Sequence, residues 1–310
     1  MPIVPTVHNA GSLNIDDVFR THHIVRPGET VSSLSLARHV GGKGLNQSIA
    51  LARSGTPVRH IGLIGEDGIF LKDRLRSEGV DVSGIRIGRD PTGHAIIQVA
   101  DSGENAIVLF GGANIAWNSE SLNCLLQGCN PGDIVLFQNE INMMPELINA
   151  AADAGMRLAF NPAPMAPNVK NYPIERVSWL IVNEIEGREL SGCAVNDSSD
   201  EADEAVAYTL QRLYPQAVVI LTLGKKGAIR ADTSGLIRAH FPNAAPVADT
   251  TSAGDAFIGY FLNAEIHGLS AKNGLLRSCA AGAITVTRPG AATSIPRAAE
   301  VDALCSSINI

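Results

Sequence analysis

Apolar residues recur along this chain in two alternating rhythms. Leu45, Ile49 and Ala52 share one face of a predicted helix, and the pattern stops at Gly55, a residue suited to a left-handed terminus. The run VRHIGLIG (58 to 65) then predicts a strand, and a second helical pattern around Leu71 and Leu75 ends at Gly79. The same order returns downstream in IVLFQN (134 to 139), LINAAADAG (147 to 155), RLAFN (157 to 161), WLIVN (179 to 183), a helix near 201 to 214 and AVVILTLG (217 to 224). Nearly continuous apolar strands separated by helices predict an α/β fold, a mostly parallel sheet covered on both faces. Ligands of such sheets sit beyond the carboxyl ends of the strands, where Asn139, Glu140, Asn161, Asn183 and Gly224 fall.

Two segments break the rhythm. His94 to Val99 and Ala106 to Phe110 flank DSGEN (101 to 105) and predict a hairpin, and residues 13 to 36 read as strands with no helix between. Together they predict a small β-lid, spanning about 13–38 and 92–112 within a single domain of residues 1–310. A lid that excludes water suits transfer chemistry that competes with hydrolysis.

Composition narrows the class. With 310 residues, 45% apolar and 18% charged, the chain can bury a full core, and no Pro, Gly or Ser-rich linker divides it. A net charge of -7 without a basic stripe argues against a nucleic-acid partner, so a polyanionic substrate would need backbone amides and a divalent cation. Five scattered cysteines with no C-x-x-C pair predict reduced, mostly buried thiols. MPIVPTVHNAGSLN has no basic start followed by an apolar run, and no stretch approaches 18 apolar residues, so the expected location is the cytoplasm, with no membrane partner.

Two segments carry chemistry. In DTTSAGDAFIGYFLNAEIHG (249 to 268), the small residues Ser252, Ala253 and Gly254 open a helix at Asp255 that Phe257, Ile258, Phe261 and Leu262 continue to Gly268. Unhindered amides at a helix N-terminus form an anion hole, although an ordinary N-cap would use Asp255 or Thr251 in the same way. GGKGLNQ (41 to 47) is a Gly-rich turn before a helix. Lys43 is followed by Gly44, and position 37 is Ala, so it is not a Walker A loop.

GGKGLNQSIALARSG and DTTSAGDAF, about two hundred residues apart, together resemble the two signature segments of the PfkB carbohydrate kinases, the ribokinase-like family. GSLNIDD, TGHA, GGAN, NPAP, VNEIE, TLGKKG and TRPGAATSIP extend the resemblance over nearly the whole chain. It implies a three-layer ribokinase-like sandwich with a β-lid that mediates homodimerisation. It further implies phosphoryl transfer from MgATP to a hydroxyl of a small furanose, ribose first, with Asp255 as base and Ser252, Ala253 and Gly254 forming the anion hole.

Carried over position by position, the resemblance assigns sugar contacts to Asn14, Asp16, Gly42, Lys43, Asn46, Glu140 and Asp255. Nucleotide contacts fall to Asn183, Thr222, Gly224, Gly227, Gly254 and Cys279. Magnesium is organised by Asn183 and Glu186, and potassium is held at Asp249, Thr251, Thr285, Arg288, Gly290 and Ser294, mostly through backbone carbonyls. Three departures stand out. Ser252 replaces the usual Gly or Ala and would either donate to phosphate or cap the helix; Cys279 stands where Asn or His is common; and His94 stands where an aliphatic residue facing the sugar is expected. His94 and Leu45 mark the regions where another acceptor, such as deoxyribose, fructose or another ketose, a sugar acid or a nucleoside, would be encoded. A non-catalytic sugar or nucleotide sensor on the same fold is the reading from another class. His22 and His23 are adjacent, cannot share a site and are expected in solvent, and DSSDEADE (197 to 204) reads as a solvated loop and helix start.

Overall fold

Successive residues of a strand point to opposite faces of its sheet, and here each central strand is apolar on both. Ile134 and Leu136 enter one core while Val135 and Phe137 enter the other; Trp179 and Ile181 divide from Leu180 and Val182 in the same way. The computed structural model describes residues 5–193, 199–241 and 245–307. Asp197 and Ser198 of the acidic run, and the first four residues of the N-terminal segment, lie outside them.

Among the described residues the main sheet has nine strands. Its order is β13 (Gly235–Ala239), β12 (Ala228–Asp232), β11 (Val218–Thr222), β10 (Trp179–Asn183), β9 (Arg157–Asn161), β8 (Ile134–Gln138), β1 (Val7–Ala10), β4 (Val58–Ile64) and β5 (Asp81–Ile87). Pairing is parallel from β11 to β5, and β12 and β13 add an antiparallel edge. One face carries α1 (Lys43–Ser54), α2 (Ile69–Ser77), α7 (Ala253–Ile266), α8 (Ala271–Thr285) and α9 (Ala298–Ser306). The other carries α3 (Ser119–Leu126), α4 (Met144–Asp153), α5 (Glu184–Ser191) and α6 (Asp200–Leu213). The result is the ribokinase-like three-layer α/β fold.

A second sheet, ordered β3 (Ser35–Gly41), β2 (Asn14–Thr21), β6 (Gly93–Ala100) and β7 (Asn105–Phe110), forms the lid strands. Its third segment runs to Gly41, a little further than the pattern suggested, so lid strand β3 leads into α1 with Gly42 alone between them. Asp17 binds Arg38 across β2 and β3 through two hydrogen bonds of 2.8 and 2.9 Å. The Arg38 guanidinium holds the Asp17 carboxyl down to about 2.

The acidic run is not wholly solvated. Asp203 is 1% exposed; it accepts from Arg188 of α5 at 2.6 Å and from Lys226 of the loop after β11 at 2.5 Å. The carboxylate thus ties α5, α6 and that loop together, because a buried charge persists only when paired. Three of the five free cysteines, Cys124, Cys129 and Cys193, are only half-buried, while Cys279 and Cys305 are buried. No helix among the described residues is long and apolar enough to cross a membrane. Asp203→Ala is expected to lower unfolding free energy by about 3 kcal/mol, the cost of breaking a buried ion pair from one side, measured by urea denaturation.

Candidate active site

Helix α7 starts at Ala253 because Ser252 turns the chain through a left-handed conformation (φ 60°). The Ser252 hydroxyl does not cap the helix; it accepts from Asn46 Nδ2 at 3.0 Å. Among the described residues nothing accepts from the amides of Gly254 and Asp255, while the Ala253 amide makes only a long contact of 3.4 Å to the Thr250 carbonyl. A methyl group at Gly254 would meet no atom within 4 Å, so the space beside this residue is open. Asp255 is 8% exposed and does not cap its own helix either: Oδ2 accepts from Asn46 Nδ2 at 3.2 Å and Oδ1 from Gln47 Nε2 at 2.9 Å.

Asn14 and Asp16 alternate along β2 and share a face. Asn14 Oδ1 is taken by Asn114 Nδ2 at 2.7 Å. The Asp16 carboxylate lies directly over Gly41, where a Cβ would come within 2.3 Å of both its oxygens, so any side chain here would push the carboxylate aside. Burial, with the nearby Glu140 charge adding to it, pushes Asp16 up to about 7. Asn46 Oδ1 is buried and has no partner among the described residues. A desolvated carboxylate and an orphaned carbonyl oxygen are both acceptors that want hydroxyl donors.

Glu140, beyond the end of β8, accepts the Lys43 amide at 3.0 Å and the Ser12 hydroxyl, fixing the Gly-rich turn to the sheet. Gly42 supplies the positive φ of 94° that this turn requires. Burial works against the Lys43 charge, but Asp255, Glu140 and Glu186 outweigh it and raise its pKa. Among the described residues its ammonium makes no ion pair with these acids, whose charges act on it through space.

On the far side, Asn183 and Glu186 close a capping box at the start of α5: Glu186 Oε2 accepts the Asn183 amide at 3.0 Å, and Asn183 Oδ1 accepts the Glu186 amide at 2.9 Å. Burial raises the Glu186 pKa. Thr222 pairs in register with Asn183, and Gly224 opens the following turn with nothing within 4 Å of where its Cβ would be. Gly227 is forced by packing, since its Cβ would lie 2.0 Å from the Ala239 carbonyl. Asp249 accepts from the Thr251 amide (2.9 Å), the Thr251 hydroxyl (2.6 Å) and the Gly290 amide (3.0 Å), joining two loops. The Thr285 and Ser294 hydroxyls turn back to the carbonyls of Ala281 and Ala291, and Arg288 pairs with Glu300.

Three expectations change. His94 does not face Asn14 and Asp16: it is paired in register with Ile15, on the opposite face of the lid, where Asp17 accepts from its Nε2 at 3.0 Å. Leu45 is fully buried in the core. Cys279 is 8% exposed, its thiol 3.7 Å from the Ala239 carbonyl and pushed up to about 12 by burial, so it packs inside the wall of the site. His22 and His23 are exposed, paired with Asp101 and Glu29. Ser12, Gln47 and Asn114, which the pattern did not single out, bond to Glu140, Asp255 and Asn14; Gln47 stood inside the signature segment and Asn114 inside GGAN, each without a role of its own.

The family model for pfkB family carbohydrate kinases matches residues 7–298. A ribokinase of Schizosaccharomyces pombe is 34% identical over 303 residues, covering 94% of this chain and 95% of that one. The crystal structure of ribokinase from Cryptococcus neoformans var. grubii in complex with ADP superposes with a TM-score of 0.85 at 34% identity, covering 96% of this chain and 99% of the other. The Arabidopsis thaliana ribokinase complexed with ribose and ATP gives 0.85 at 28% identity, covering 97% and 99%.

The raised Asp16 pKa has a thermodynamic consequence. Between the ordinary value of 3.8 and about 7 the folded chain holds a proton that the unfolded chain releases. Stability from this group is therefore present at low pH and lost as pH rises through 7. Melting temperatures from pH 5 to 8 are expected to fall more for the native protein than for Asp16→Asn, which has no proton to lose.

Proposed function

The chain belongs to the pfkB family of carbohydrate kinases, and from that premise we propose that it transfers the γ-phosphoryl group of ATP to ribose, giving ribose 5-phosphate and ADP. The reading is supported by Asp255, which is tethered to Asn46 and Gln47 in the first turn of α7, next to the unpartnered Asn46 Oδ1 and to helix amides from which nothing among the described residues accepts.

Asn14, Asp16 and Asn46 hold ribose by its ring hydroxyls, with Gly42, Lys43 and Glu140 forming the floor. Asp255 accepts the proton of the attacking hydroxyl as the new O–P bond forms and the bond to ADP breaks. The amides of Gly254 and Asp255, with Ala253 and Ser252 shaping the turn, stabilise the negative charge on the transferred group. Lys43, whose charge Asp255, Glu140 and Glu186 favour, adds a positive charge at the same place. Thr222, Gly224 and Gly227 run along the nucleotide from the strand end, and Cys279 backs the wall behind the base.

Glu186 Oε1, beside Asn183, is the remaining acceptor of the capping box and suits a cation that keeps most of its water. Among the described residues no three acidic, His or Cys side chains form a cage. Magnesium, held near Asn183 and Glu186, would supply charge neutralisation for the nucleotide's phosphates. Potassium would sit between the two loops that Asp249 joins, held by that carboxylate and by carbonyls near Thr251, Thr285, Arg288, Gly290 and Ser294, whose side chains are largely committed elsewhere.

Leu36, Ile96, Val108 and Phe110 lie on the lid face away from Asn14 and Asp16, and all are 44% to 62% exposed. A second copy of the lid would cover them, making a homodimer. Val108→Lys is expected to shift sedimentation from dimer to monomer; a monomeric native protein would overturn the dimer.

A coupled ADP-release assay across pentoses, ketoses, sugar acids and nucleosides is expected to give the highest kcat/KM with ribose. Turnover of another acceptor and not ribose would reassign the acceptor. Asp255→Asn is expected to lower kcat by about 100- to 10,000-fold while ribose and ATP still bind, the range for loss of a positioned base. A native protein that binds both without turnover would be the sensor.

A further inference from the structure

Behind Asp255 lies a chain of buried side-chain amides that the proposed mechanism does not use. Gln47 is fully buried. Its Nε2 donates to Asp255 Oδ1 at 2.9 Å and to Asn161 Oδ1 at 3.3 Å, and its Oε1 accepts from Gln138 Nε2 at 2.7 Å. Gln138, equally buried, donates also to Asn9 Oδ1 at 2.9 Å. Asn9 in turn donates to the Gly44 carbonyl at 2.7 Å and to Ser48 Oγ at 2.8 Å, and Asn161 to the Ile181 carbonyl at 2.9 Å.

The direction of this chain is fixed. If the Gln47 amide were flipped, its NH₂ would face the Gln138 NH₂ and its carbonyl oxygen would face both the Asp255 carboxylate and Asn161 Oδ1, three repulsive contacts in place of three hydrogen bonds. Asn9, Gln138 and Asn161 stand on β1, β8 and β9, at or near their carboxyl ends, so the rigid sheet sets where Gln47 Nε2 points. Gly11 preserves the arrangement: a Cβ there would lie 2.1 Å from Gln138 Oε1.

We propose that Gln47 is a positioning residue for phosphoryl transfer: it anchors Asp255 Oδ1 to the sheet through Gln138 and so aims Oδ2 at the substrate hydroxyl. This rests on the reading of Asp255 as the base. Asn46 also touches Oδ2, but Asn46 is a proposed substrate contact, whereas the hydrogen bonds of Gln47 are all to protein. A neutral donor holds the carboxylate without adding a counter-charge beside it. The charged groups around Asp255 are Lys43 on α1 and Glu186 on α5.

The test compares kcat, KM for ribose and KM for ATP from pH 5.5 to 9 in the native protein, Gln47→Glu, Gln47→Met and Asp255→Asn, with melting temperatures as a check on folding. Gln47→Glu keeps the acceptor for Gln138 but sets a second carboxylate against Asp255. It is expected to lower neutral-pH kcat by about 10- to 100-fold, as for a displaced reacting group. Both KM values should stay within about threefold, and the acid limb of the kcat profile should move to higher pH by about one unit, as for like charges sharing a site. Gln47→Met, which removes the donor without adding charge, should lower kcat with no such movement, and it carries the test alone if Gln47→Glu fails to fold. Folded Gln47 variants with native kcat and an unmoved acid limb, or with losses confined to KM, would overturn the proposal. If Asp255→Asn retains native kcat, the base assignment falls instead; if it is inactive while the Gln47 variants are native, only the positioning role falls.

Discussion

Two helices approach each other with no more than the Ala50 methyl group between them at Gly259, and the site follows from that approach. A methyl group at Gly259 of α7 would lie 2.5 Å from the Ala50 Cβ of α1 and 2.7 Å from its carbonyl carbon. Asp255 stands one helical turn before Gly259, and Asn46 one turn before Ala50. The spacing of the helix axes at Gly259 is therefore what lets short amide side chains on α1 reach a short carboxylate on α7. Hydrogen bonds of 2.9 and 3.2 Å lose most of their strength over an added ångström.

Orientation in this site comes mainly from neutral groups. The chain carries a net charge of -7, and Asp16, Glu140, Glu186 and Asp255 add local acidity. A binding surface for a nucleotide therefore depends on Lys43 and on amide dipoles, which act over a few ångströms and need no favourable overall field. The same economy explains Asp16. Its desolvation is unfavourable in the free protein and is relieved when hydroxyls donate to it, so a polyol gains affinity from a carboxylate that water no longer serves.

The central strands were legible in the sequence because each buries both faces, which leaves long apolar runs that no surface element would carry. The hairpin of β12 and β13 was not, because Arg230, Asp232 and Arg238 interrupt it on an antiparallel edge. Asp255 and Asn46 could be found because they sit in glycine-rich segments whose spacing is distinctive. Gln47, Ser12 and Asn114 could not be given roles, since a buried amide or hydroxyl that touches other side chains leaves no periodic trace. Asp203 failed in the opposite direction: a run of acids looks solvated until a fold brings Arg188 and Lys226 onto one of them. His94 was misplaced because its family position says nothing about strand parity, and one residue of register sends it to Asp17.

Gly42 alone separates the last residue of β3 from the first of α1. Adding or removing a residue there would rotate the lid strand by half a repeat and the helix by about 100°, taking Asp16's partner strand and Asn46 out of register together. The opposite ends of the lid, at residues 22–34 and 101–104, carry no such tie to the pocket. Length variation among descendants of this chain is thus confined to one end: the cover over the pocket can be enlarged, shortened or re-tailored at its tips, while its root is frozen at a single glycine.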